Sequence, residues 1–140
     1  MEQGAAEEPL SLGPDTLQLT LDELVEGYRR DQFDISSTID ECLARIEAWD
    51  YQGPILNAMV TIDAQVRERA EALYHELVST GVARPLHGVP VVINDNINVA
   101  GLQTTGGSVA LIDWRPTEDA CVVRRLKEAG VVIVGKSYMS

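Results

Sequence analysis

The sequence predicts an α/β domain built on a largely parallel or mixed β-sheet flanked by helices. Three observations carry that prediction. Signals for helix and strand alternate along the chain in the order helix, strand, helix, strand, helix, strand. The run Val131–Val134 is apolar throughout, as a parallel strand covered on both faces is. The longest helical stretch, residues 64–78, keeps Val66, Ala70, Leu73 and Leu77 at helical spacing, with charged residues around them that read as a solvated face.

In chain order, residues 1–14 hold acids, Gly, Pro and Ser with little periodicity and read as a mobile tail before a domain over 15–140. Thr20 and Glu23 form a T-x-x-E capping box. It predicts a helix from Leu21 to about Arg30, with Leu21, Leu24, Val25 and Tyr28 on one face. After a break at Asp34–Ser37, Ser36 or Ser37 is expected to cap a second helix running to about Trp49. Ile39, Cys42, Leu43, Ile46 and Trp49 make its apolar stripe, and Gly53-Pro54 ends the unit. Ala58–Ile62 reads as a strand before the long helix. His75 on that helix reads as a surface or interhelical residue, since no second ligand stands at a metal spacing that singles it out. Val89, Val91, Val92 and Ile93 are β-branched and suit a buried strand. Asp119–Ala129 then reads as an amphipathic helix with Val122, Val123 and Leu126 inward, ended by Gly130.

Composition sets outer bounds. The 140 residues are 45% hydrophobic, enough for a core and unlike a disordered chain. A net charge of -11 and 5% aromatics argue against nucleic acid and anionic membranes as partners. Cys42 and Cys121 lie far apart, outside any C-x-x-C spacing, and read as two buried thiols in a reducing compartment. Met1-Glu2-Gln3-Gly4 lacks the basic start and apolar core of a secretory signal. No apolar run approaches the roughly 20 residues that span a bilayer, so the expected location is the cytoplasm.

Chemistry concentrates in residues 85–108. Asn94-Asp95-Asn96 follows directly on the apolar run, where a strand would end, and polar side chains delivered there into a loop are well placed for chemistry. Gly101, Gly106 and Gly107 supply the freedom for a tight loop, and Ser108 is expected to cap a following helix. His87 is expected to pack under the turn that feeds the strand rather than act as a base. Gly130 to Ser137 satisfies the phosphate-loop pattern G-x-x-x-x-G-K-[ST], but its four intervening residues are β-branched and build a strand. A phosphate loop must instead wrap its N–H groups around the anion and open a helix, so nucleotide binding is rejected.

Three stretches resemble the amidase signature family of serine hydrolases. Pro85-Leu86-His87-Gly88-Val89-Pro90, Asp95-Asn96 and Thr104-Thr105-Gly106-Gly107-Ser108 fit its central signature. Arg124–Gly130, Gly135-Lys136-Ser137 and Met139-Ser140 fit a later one, with Tyr138 in place of the usual Asn. Leu56–Thr61 fits the family's L-N-A-x-V-T. The likeness runs from about Leu17 to Ser140. One position departs in its chemistry: Asn94 stands at the family's catalytic lysine.

The resemblance implies the N-terminal part of the amidase signature fold, incomplete here, and a Ser-Ser-Lys mechanism that hydrolyses carboxamides without metal or organic cofactor. It equally fits the amidase-like component of tRNA-dependent amidotransferases. In that mechanism a buried lysine of lowered pKa activates the nucleophile through a bridging serine. Asparagine has no titratable group, and the family's G-S-S-G-G loop does not occur within these residues. Lys136 is a poor substitute, because the resemblance places it at another strand end. Asp95 and Asn96 are expected to hold the loop backbone. The expected function is therefore a truncated amidase-family protein, inactive alone, with Asn94 non-functional at the catalytic position. The alternatives are a non-catalytic module pairing with an intact amidase or complementary chain, and the first part of a longer active amidase in small-molecule metabolism. A small-molecule amide is the implied substrate.

Overall fold

The structure, a computed structural model, describes residues 16–139. The expected mobile tail, residues 1–14, and Ser140 at the end of the last signature lie outside the described residues. Helix α1, Leu21–Arg29, starts at the capping box read from sequence: Thr20 Oγ1 accepts from the Glu23 N–H at 3.3 Å, and the Glu23 carboxylate accepts from the Thr20 N–H at 2.8 Å. Leu24 and Tyr28 are buried, but Leu21 is exposed, because no described element covers the first turn. Helix α2, Ile35–Ile46, is capped by Asp34 and not by Ser36 or Ser37. The Asp34 carboxylate accepts from the Ser37 N–H at 2.7 Å, and the Ser37 hydroxyl turns back to the Asp34 carbonyl at 2.9 Å, so both serines sit inside the first turn.

A π-helical turn, Glu47–Tyr51, extends α2. Its wider winding takes Trp49 off the inner stripe, and the expected core residue is 58% exposed. Asp50 in this turn is buried and accepts from the N–H groups of Ala58 and Met59 at 2.5 and 3.1 Å, which fixes where β1, Met59–Ile62, begins. Helix α3, Val66–Thr80, follows and ends at Gly81 in the left-handed region, φ 68°. His75 lies exposed on it, 3.6 Å from Glu71, as the sequence suggested.

The sheet is mixed, as expected. Its order is β1–β3–β2, with β3 (Val132–Ser137) antiparallel to β1 and parallel to β2 (Pro90–Asn94). The β2–β3 pairing shifts register between Val91 and Val92, beside Gly135, and the β1–β3 pairing shifts between Met59 and Thr61, opposite Lys136 and Ser137. A Cβ at Gly135 would run into the Thr61 carbonyl, so the close approach of β1 requires glycine there. β3 supplies both sides of the core. Val132 and Val134 join Leu24, Tyr28, Ile35, Ile39 and Ala70, whereas Val131 and Ile133 join Ile93, Val99 and Val123.

Other expectations need correction. β2 is not a fully buried strand: Ile93 is buried, but Val92 is 42% exposed, because β2 is an edge strand of this sheet and the pleat turns alternate residues outward. Helix α4, Cys121–Glu128, starts two residues later than predicted. Val123 is fully buried there, while Val122, one position round the helix, is exposed. Cys42 is only half-buried and Cys121 is exposed, and both are free thiols.

Candidate active site

The turn that feeds β2 is a finished piece of structure. His87 is fully buried. Its Nε2–H donates to the Leu73 carbonyl at 2.8 Å, and Nδ1 accepts from the Arg84 N–H at 3.4 Å, so the neutral ring is satisfied at both nitrogens. Gly88 follows at φ 76°, where a Cβ would meet Ile35 Cγ1 at 2.6 Å, and its N–H donates to the Gly130 carbonyl at 2.8 Å. This end of β2 presents no free polar group for catalysis, in keeping with the packing role read from sequence.

The other end of β2 is open. Asn94 is exposed, and its Oδ1 accepts from the Ser137 hydroxyl at 3.0 Å. Asp95, the next residue, is 2% exposed. Its carboxylate accepts from the Thr105 N–H at 3.1 and 3.2 Å and from the Thr105 hydroxyl, and lies 3.6 Å from Lys136 Nζ. Asp95 thus holds the loop, as anticipated, whereas Asn96 is exposed. The pleat puts Asn94 with Ser137 on one face of the sheet and Asp95 with Lys136 on the other.

Lys136 is fully buried, and its ammonium donates to Thr104 Oγ1 at 3.0 Å. Burial pushes its pKa below the usual lysine value, and the Asp95 carboxylate only partly offsets that. Sequence reasoning did not find this network. The signal was present: a lysine continuing an apolar strand requires a buried anion, and Asp95 stands where the neighbouring strand ends.

The loop closes on itself. Gly106 and Gly107 have φ 58° and 77°. Their N–H groups go to the Asp95 carbonyl and the Thr105 hydroxyl at 3.1 Å each, and the Ser108 N–H goes to the Thr105 carbonyl at 3.0 Å. These donors are spent internally. The G-x-x-x-x-G-K-[ST] stretch lies elsewhere: its residues 132–137 form β3 and its lysine, Lys136, is buried on Thr104, so the phosphate-loop reading fails in the structure as well. Ser108 makes no capping bond with its side chain, and only a 3-10 turn, Val109–Leu111, follows it. Val109 in that turn and Ile112 and Trp114 after it are exposed. Among the described residues, no cluster of three or more His, Cys, Asp or Glu is placed to hold a metal ion, and no helix is long and apolar enough to cross a membrane.

The Amidase family profile matches residues 37–140. The chain is 37% identical over 122 residues to a glutamyl-tRNA(Gln) amidotransferase subunit of Nitratidesulfovibrio vulgaris, covering 86% of this chain and 24% of that protein. It is 34% identical over 123 residues to a mandelamide hydrolase of Pseudomonas putida, covering 87% and 24%. A native peptide amidase from Stenotrophomonas maltophilia superposes with a TM-score of 0.84 at 33% identity, over 88% of this chain and 25% of that one. The chain therefore spans about a quarter of the length of the relatives it matches. With the mixed sheet, the Asp95-centred loop and the match over residues 37–140 in agreement, the chain belongs to the amidase family.

Proposed function

We propose that these 140 residues are an amidase-family segment whose lysine position is held by Asn94, and that by themselves they do not hydrolyse amides. The observation that carries this reading is the geometry at the end of β2. Asn94 is exposed at the position the family gives to its base, bonded to Ser137, and has no proton to accept or release at neutral pH. Loss of a general base costs roughly 10² to 10⁴ in rate. Lys136 does not replace it, because its ammonium is buried on the opposite face, engaged with Thr104 and Asp95. The substrate class of an active relative of this kind is a small-molecule carboxamide, and the cytoplasm is the compartment that suits two free thiols.

The purified chain incubated with primary carboxamides and a serine-directed phosphonate is expected to show no turnover above buffer and no labelling. Steady hydrolysis abolished by the phosphonate overturns the reading. In any longer product of the same gene that carries a serine loop, Asn94→Lys is expected to raise turnover by about 10² or more. An unchanged rate there would show that the lysine role does not transfer to this position.

A second reading, an interaction module pairing with an intact amidase or a complementary chain, is favoured by the exposed Val92, Val109, Ile112 and Trp114. A chain that is monomeric, unfolds cooperatively and retains no amidase-family protein on a column counts against it.

A further inference from the structure

Lys136 is a fully buried lysine for which the proposed chemistry has no use. A buried ion pair is a weak source of net stability, because desolvating both charges offsets their attraction. In some proteins such a pair instead selects one arrangement over its neighbours. The arrangement here joins three separated segments. Lys136 belongs to the central strand, Asp95 ends the edge strand, and Thr104 and Thr105 open the glycine-containing loop. From its rigid anchor the ammonium reaches Thr104 directly at 3.0 Å and Thr105 through the carboxylate of Asp95, which lies 3.6 Å away. Thr104 Oγ1 accepts from Lys136 and donates onward to the Leu102 carbonyl at 3.2 Å, so its hydrogen-bonding capacity is used in both directions. Two consecutive loop residues are thus tied to one cation.

We propose that Lys136 is the positioning residue of the candidate site, acting through Asp95 and Thr104 to hold the Thr104–Ser108 loop against the residue next to Asn94. The proposal rests on reading the end of β2 as the site. Its test uses no activity, so it fails or stands independently of whether Asn94 is the catalytic position.

The test is residue-resolved amide hydrogen exchange on the 140-residue chain. In Lys136→Met the amides of Thr105, Gly106 and Ser108 are expected to exchange about tenfold faster, while Val132 and Ile133 in β3 stay within about twofold. The double variant Lys136→Met/Asp95→Asn is expected to return the loop amides toward the wild-type rate, because a neutral carboxamide in place of the carboxylate can still accept from Thr105 and no longer needs a cation. A variant that only loses packing volume would show no such rescue. Thr104→Val, nearly isosteric, removes the direct ammonium contact without unpairing Asp95. It is expected to speed the same amides several-fold, and it decides the question if Lys136→Met does not fold. Loop and strand amides accelerating together, no rescue in the double variant, or wild-type loop rates in Thr104→Val would each overturn the proposal.

Discussion

The two ends of β2 both carry polar residues of the signature, and they are built to opposite plans. At the entry, His87 has a partner at each ring nitrogen and no solvent contact, and Gly88 is pressed against Ile35. At the exit, Asn94 and Asn96 point outward while only Asp95 is tied inward. A signature is therefore a mixture. Some of its residues form the frame, and a few are what the frame presents. Burial and completed hydrogen bonding separate the two groups, which motif matching alone does not.

The contrast can be broken first at the entry. His87→Ala removes a buried ring, takes the side-chain donor from the Leu73 carbonyl and leaves the Arg84 N–H without its acceptor. It should cost about 3–5 kcal/mol in urea unfolding. Gly88→Ala forces a side chain into the left-handed region and onto Ile35, for a cost of about 2–3 kcal/mol in the same measurement. At the exit, Asn94→Ala should change stability by less than about 0.5 kcal/mol, because the side chain is exposed and makes one hydrogen bond. A large loss there would mean that Asn94 is part of the frame.

The smallest effect sharpens the comparison in alkali. Tyr28, whose hydroxyl donates to the Gly88 carbonyl at 3.5 Å, has its pKa raised by burial, helped by nearby Cys42, Asp34 and Glu41 and opposed by its bond with Thr38. Above pH 10 the unfolded tyrosine ionises while the folded one keeps its proton, so stability falls as pH rises. Lys136 works in the other direction. Its lowered folded pKa means that the folded chain loses this proton before the unfolded one does, so its contribution to stability rises with pH up to the ordinary lysine value of 10.5. Tyr28→Phe should be near neutral at pH 7 and should flatten the fall above pH 10 in unfolding titrations. Lys136→Met should remove the opposite slope.

What was legible in the sequence was mostly local. The Thr20–Glu23 box, the stripe of α3 and the glycine stops need only neighbouring residues, and each took its place. The α/β alternation and the signatures carried the fold class and the location of the site. Asp34 is not singled out as the cap by sequence because Asp34, Ser36 and Ser37 can all cap, and only the backbone geometry selects one. Val92 and Val122 were assigned inward because an apolar residue does not say which neighbours will cover it. Leu21 is exposed for the same reason at a helix end, whereas Trp49 is carried outward by the π-helical turn. For the Lys136 network the sequence shows only that a lysine continuing an apolar strand needs an anion; which anion is fixed only once the parallel pairing of β2 with β3 brings distant parts of the chain together.

That pairing has a consequence for how the chain is made. The strand at the middle of the sheet is the last of the three to leave the ribosome. Until residues 132–137 have emerged, β1 and β2 have no partner in this sheet, and Asp95 has no cation. The early product of synthesis is a set of helices beside two unpaired strand segments. Order arrives late through contacts between distant positions, the kind that form slowly and leave intermediates prone to aggregation. A polypeptide stopped before Val132 would keep both N-terminal helices of the domain and every residue of the central signature, yet lack the one strand that brings them into register.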